Sequence, residues 1–177
     1  MNKKSELKMT VYAALFAALT ATGAYISIPV GPVPIVLQNF FVLLSGLLLG
    51  SRWGATSIAV YLLAGACGLP VFAGGTSGIA HFAGPTGGYL VGFLGTAYVI
   101  GFISERTKNS ITWDIVAMIC GMVVTYAVGL IWLKQITGMT FSKTLAVGLY
   151  PFLFGAVLKI IVAIPVAKAL RIYFNKK

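Results

Sequence analysis

TWDIVAMICGMVVTYAVGLIWL, residues 112–133, is the longest apolar run in the chain, and its 22 residues hold a single charge, Asp114. As a helix rising 1.5 Å per residue it reaches roughly 33 Å, enough to cross the ~30 Å hydrocarbon core of a bilayer. The whole chain has the same character. Of its 177 residues, 59% are hydrophobic by a count that leaves out 21 glycines, and only 9% are charged. Soluble proteins carry about 45–50% apolar residues with glycine included, and about 25% charged ones. Lipid is the solvent this sequence requires.

Five further runs lie between charges, prolines and glycine clusters, at 9–28, 35–50, 54–69, 89–104 and 151–170. The reading is an all-α integral membrane protein, one domain over residues 1–177, with six transmembrane helices. The runs 35–50 and 54–69 hold only 16 residues each, so they are short or borrow from their flanks. The first run follows Lys3, Lys4 and Lys8, as in a signal peptide, but exceeds the 7–15 residues of a signal core and is kept as a span.

Charge placement gives the orientation. The formal net charge is +10. With the amino terminus inside, ten cations face the cytoplasm: Lys3, Lys4, Lys8, Arg52, Arg106, Lys108, Lys168, Arg171, Lys176 and Lys177. Lys134 and Lys143 face out. This positive-inside bias predicts a plasma membrane protein of bacterial type with both termini cytoplasmic. Trp53, Trp113, Trp132, Tyr12, Tyr25 and Tyr173 fall near run ends, where amphipathic rings settle. The cations form no basic stripe interleaved with aromatics, so nucleic acid is excluded as a partner.

Two outer connections are apolar and uncharged: PVGPVP at 29–34 and PVFAGGTSGIAHFAGPTGG at 70–88. Non-helical backbone at membrane depth is tolerated only when buried in protein or lining a cavity. The Gly/Pro-rich segments are therefore expected to fold over the extracellular mouth of the bundle. No internal repeat is evident, which disfavours an inverted-repeat carrier.

The clearest anomaly is Lys159, about two turns inside the outer end of FLFGAVLKIIVAIPVA. A lysine at the bilayer centre costs about 2.5–3.5 kcal/mol on the lenient insertion scale. It either snorkels outward along its helix or faces a cavity and meets an anionic ligand group. Glu6, Glu105 and Asp114 all belong to the cytoplasmic side, so the anion is expected to arrive as substrate, most simply as a carboxylate. Gln38, Asn39, Thr76, Ser77, His81 and Tyr89 are polar groups of the outer half that could orient such a ligand, with Gln38 the best placed. Glycines 74, 75, 78, 84, 87 and 88 could offer backbone N–H nests or simply permit close packing.

Catalysis finds little support. No P-loop motif occurs, and one histidine with three acids on the inner side supplies no nucleophile–base set. His81, Cys67 and Cys120 lack partners at metal spacing. The expectation is no enzyme, no cofactor and no metal. On the first run, Ala13–Ala17–Ala21 and Ala14–Ala18–Thr22 place small residues on adjacent faces, where helices can approach closely.

Several stretches together resemble the BioY family of biotin-binding S subunits of energy-coupling factor (ECF) transporters. They are ISIPVGPVPIVLQN (26–39), LLLGSRWGA (47–55), YLLAGACGLPVFAGG (61–75), GPTGGYLVGF (84–93) and PFLFGAVLK (151–159). The resemblance implies a binder that captures biotin outside and delivers it by docking on a transmembrane coupling (T) subunit with two ATPases. Ala13, Ala14, Ala17 and Ala18 would belong to the docking helix. Lys159 matches the family's lysine of the last helix and would meet the biotin carboxylate. Gln38, Tyr89, Gly74 and Gly75 would surround the ureido ring. Where the family has a proline and an aspartate before that lysine, this chain has Phe154 and Ala156. The alternatives are an S subunit for another carboxylate-bearing vitamin, or a small membrane enzyme or sensor.

Overall fold

A computed structural model describes residues 3–29, 31–107 and 110–174; Lys108, Lys176, Lys177 and the side chain of Lys4 lie outside that description. Seven α-helices run in the order α1 (Lys3–Tyr25), α2 (Gln38–Ala66), α3 (Ala80–Ala83), α4 (Gly87–Arg106), α5 (Ile111–Thr137), α6 (Phe141–Gly148) and α7 (Tyr150–Phe174). Five helical stretches are long and apolar enough to cross a membrane: Ser5–Tyr25, Gln38–Ala66, Gly87–Arg106, Ile111–Thr137 and Phe141–Phe174.

The runs 35–50 and 54–69 fall in one element, α2, which doubles back on itself. Gly50 adopts φ 80° and ψ −176°, a conformation open to glycine and strained for other residues. The chain reverses there. Tyr61 Oη donates to Gln38 Oε1 at 3.0 Å, although 23 residues of straight helix would separate them by roughly 35 Å. Glu105 of α4 secures the reversal by accepting from Ser51 N at 3.0 Å and Ser51 Oγ at 2.8 Å.

The first helix stops at Tyr25, three residues before the expected end, because Pro29 disfavours helix at the residue before it. Ile35 and Val36, expected to open a helix, instead pair antiparallel with Ser27 and Ile28 as strands β2 (Ile35–Val36) and β1 (Ser27–Ile28). The apolar PVGPVP segment is thus the tip of a two-stranded hairpin. The long loop carries a 3₁₀ turn, Ala73–Gly75, and the short helix α3. The amphipathic α6 was not anticipated: FSKTLAVG is too short to register as a membrane run.

The outer surface is as apolar as the interior, and the interior admits small hydroxyls among its apolar side chains. Large apolar residues such as Leu15, Val123, Ile131, Phe154 and Ile161 are exposed, while Thr20, Ser45, Ser57, Thr96 and Thr144 are buried. Buried hydroxyls bond across or along helices: Thr96 Oγ1 donates to Gly121 O at 2.7 Å and also meets Thr125 Oγ1, joining α4 to α5. A Cβ added at Gly101 would lie 2.2 Å from Ser51 N, so only glycine lets α4 approach the turn of α2 this closely.

The first half of α1 and the last residue of α7 meet at one end of the bundle, where the ring of Tyr12 sits 4.4 Å from that of Phe174. There Arg171 of α7 forms a bidentate pair with Asp114 of α5, and Ser104 of α4 donates to Asp114 Oδ1 at 3.0 Å. The β hairpin and the long loop occupy the opposite end.

A candidate binding cavity under the loop

At that opposite end the elements converge on a cavity of about 180 Å³. Its walls come from most of the chain apart from α1 and α6: Val33 to Val36 of the hairpin, Gln38 and Asn39 opening α2, Phe72, Ala73 and Thr76 of the loop, His81 of α3, Thr86 just before α4, Tyr89, Leu90 and Phe93 of α4, Tyr126 of α5, and Phe152 and Lys159 of α7. Mostly apolar walls with a few converging polar groups are the usual make-up of a small-molecule site.

Lys159 does not snorkel along its helix. Its side chain crosses to the hairpin, and Nζ donates to Val36 O at 2.6 Å. None of the three acids reaches it: Asp114 is paired with Arg171, Glu105 with Ser51, and Glu6 lies in the first turn of α1. The hydrogen bond to a neutral carbonyl leaves the formal charge of the ammonium uncompensated. That is the feature that makes the cavity attractive to an anion.

Gln38 is 4% exposed and its Oε1 already accepts from Tyr61, so its amide N–H groups are what it can offer a ligand. Tyr89 donates its hydroxyl proton to Gly148 O at 2.9 Å, tying α4 to the end of α6, and retains lone pairs toward the cavity. Gly74 and Gly75, expected beside the ligand, are absent from the lining. The 3₁₀ turn they form has left-handed φ values of 69° and 74°, and Gly75 packs on the ring of Tyr25. Their neighbours Ala73 and Thr76 face the cavity instead.

Sequence reasoning named Asn39 and His81 without assigning them, and missed Tyr126, Phe72 and Phe152. Tyr126 carried a usable signal, since a tyrosine seven residues inside a run departs from the interfacial belt. Phe72 is 1% exposed and stands edge-on to Tyr61, His81 and Phe82, which fixes the loop over the cavity. Ala156 is buried and lines a smaller recess beside Lys159, contributing only a methyl group. Phe154 is 82% exposed and takes no part in either cavity.

The two alanine faces of α1 separate. Ala13 and Ala17 are 2% and 6% exposed and pack inside the bundle, so they cannot also form a docking surface. Ala14, Ala18 and Thr22 are exposed.

Comparison with known proteins gives this arrangement a family. The model of the BioY family matches residues 1–176. The chain belongs to the BioY family. It is 41% identical over 165 residues to the biotin transporter BioY of Thermotoga maritima, covering 93% of this chain and 96% of that protein. A probable biotin transporter BioY of Pyrococcus horikoshii is 40% identical over 158 residues, covering 89% of this chain and 93% of its own. Among solved structures, the crystal structure of the S-component for biotin from an ECF-type ABC transporter superposes with a TM-score of 0.90 at 31% identity, covering 99% of this chain and 100% of that one. BioY membership therefore rests on sequence and fold alike.

Proposed function

We propose that this chain is the biotin-capturing S subunit of an ECF transporter, with no enzymatic activity and no cofactor. The observation that carries the reading is Lys159. Its ammonium faces a cavity in an otherwise apolar bundle, and no side-chain carboxylate in the chain neutralises it. Biotin has one carboxylate, a fused bicyclic body and a ureido group. The carboxylate pairs with Lys159 as a charge-assisted contact, the thiophane ring and valeryl chain lie against Leu90, Phe93 and Phe152, and the ureido group meets Gln38 and Tyr89. The names of the relatives favour biotin over another carboxylate-bearing vitamin.

In this reading α2 crosses the bilayer twice, once on each side of Gly50, giving six crossings in all. The Gly/Pro-rich loop covers the extracellular side, both termini are cytoplasmic, and the host bilayer is the plasma membrane. The contrast between ten inner and two outer cations supports the orientation. A T subunit with two ATPases supplies the energy, and release requires that the docked state hold biotin less tightly than the undocked one.

The test is calorimetry of the detergent-purified protein with biotin. Wild-type protein binds, and Lys159→Met loses at least about tenfold in affinity, the scale of a charge-assisted hydrogen bond of roughly 1.5–3 kcal/mol. Equal affinity in the two proteins removes the lysine from the site.

A further inference from the structure

Beside the main cavity lies a recess of about 10 Å³, space for one water-sized group. Asn39 and Lys159 line both, as do Phe93 and Tyr126, so these four stand at the neck between them. The polar groups around the recess are unevenly supplied. Thr96 gives its proton to Gly121 O, so in the contact between the two threonines Thr125 is the donor, and both protons are used. Asn39 Oδ1 is shut off from solvent and has no hydrogen-bond partner among the described residues. An acceptor left in that condition costs about 1–3 kcal/mol, so its persistence calls for a function.

Two donors stand at that neck, the single hydroxyl of Tyr126 and the ammonium of Lys159, and the ammonium has N–H bonds to spare. That group has three N–H bonds arranged as a tripod, and one is directed to Val36 O. We propose that Asn39 Oδ1 takes a second, so that two fixed neutral acceptors, Val36 O and Asn39 Oδ1, orient the ammonium and aim its third N–H at the ligand carboxylate. The terminal torsion of an asparagine is broad and nearly two-fold, so a small rotation suffices to present the oxygen at the neck. Asn39 is then a positioning residue acting through Lys159. Neutral acceptors orient the cation without cancelling its charge, which a carboxylate at the same place would do.

This inference rests on the reading of Lys159 as partner of the biotin carboxylate. It is tested by titrating biotin and biotin amide, whose carboxylate is replaced by an uncharged carboxamide, into wild type, Asn39→Leu, Lys159→Met and the double variant. Asn39→Leu removes the acceptor and with it one of the two bonds that orient the ammonium. It weakens biotin about tenfold and biotin amide less than twofold, and in the Lys159→Met background it adds less than twofold for biotin. Asn39→Asp, which keeps an acceptor but neutralises the ammonium, weakens biotin more than biotin amide and serves the same comparison if the leucine variant does not fold. Equal losses for the two ligands, an undiminished loss in the Lys159→Met background, or no loss for biotin each overturns the proposal. Wild-type protein that binds neither ligand overturns the biotin reading itself, and the inference with it.

Discussion

Gln38 has two jobs that can be pulled apart. Its Oε1 accepts the buried hydroxyl of Tyr61, which closes the two arms of α2 on each other, while its N–H groups stand at the cavity wall. Gln38→Leu removes both, and leaves the Tyr61 hydroxyl buried without a partner at about 1–3 kcal/mol. Adding Tyr61→Phe removes the stranded hydroxyl. Thermal unfolding in detergent is therefore expected to show a melting temperature that falls by several degrees in Gln38→Leu and recovers in the double variant, whereas the affinity for biotin stays reduced in both. Recovery of affinity along with stability would assign Gln38 to the fold alone. At this scale the sequence was most legible where a residue contradicted its surroundings: a lysine, a glutamine and a tyrosine among apolar runs all line the cavity. It was least legible where membership depends on which way a loop turns. Gly74 and Gly75 have the backbone freedom to form an anion nest, yet the ring of Tyr25 against Gly75 leaves only their neighbours facing the cavity.

Among the elements, α2 carries the most topology in the fewest residues. The Gly50 backbone lies where only glycine is at ease, and a Cβ there would meet the Glu105 carboxylate that accepts from Ser51. Gly50→Ala adds backbone strain of about 1–3 kcal/mol and displaces that carboxylate, so the variant is expected to melt several degrees lower and to expose its 35–66 segment to proteolysis. Glu105→Gln, which keeps an acceptor for Ser51 without the backbone strain, is expected to fall less. A Gly50→Ala variant as stable as wild type would mean that the reversal has another cause. The sequence marked this place as a break between two short apolar runs, and the reversal is what such a break becomes when neither run is long enough to wait for a connecting loop. Periodicity served less well elsewhere. Helices with apolar residues all round give no face to read, so the sequence marked six apolar runs without saying how they pack, and the structure joins two of them in α2. The hairpin of β1 and β2 was invisible because its strands are two residues long.

The two ends of the molecule are held by different means, ionic at one and apolar at the other. The end where α1 begins and α7 stops is pinned by Arg171, Asp114 and Ser104 across α7, α5 and α4, and by Glu105 holding the turn of α2. The cavity end is covered by a hairpin and a loop, the loop held down by the buried ring of Phe72 against Tyr61, His81 and Phe82. Under the proposed function, ligand would pass at the loop end and an outer wall of the bundle would meet the coupling subunit. On α1 the strip Ala14, Ala18 and Thr22 is exposed at successive helical turns and is the proposed part of that wall, whereas Ala13 and Ala17 of the parallel strip are buried in the bundle. Small residues let a partner helix approach closely, and a large one at the same place holds it off. Ala18→Trp is therefore expected to leave biotin affinity within about twofold of wild type, since the position is remote from the cavity lining, while copurification with a T subunit and its ATPases falls at least about tenfold, equivalent to roughly 1.4 kcal/mol. Ala17→Trp overpacks a buried position and is expected to fail earlier, in the yield of folded protein. If Ala18→Trp assembles with the coupling subunits as wild type does, the docking surface lies on another helix, and the exposed alanines of α1 face nothing but lipid.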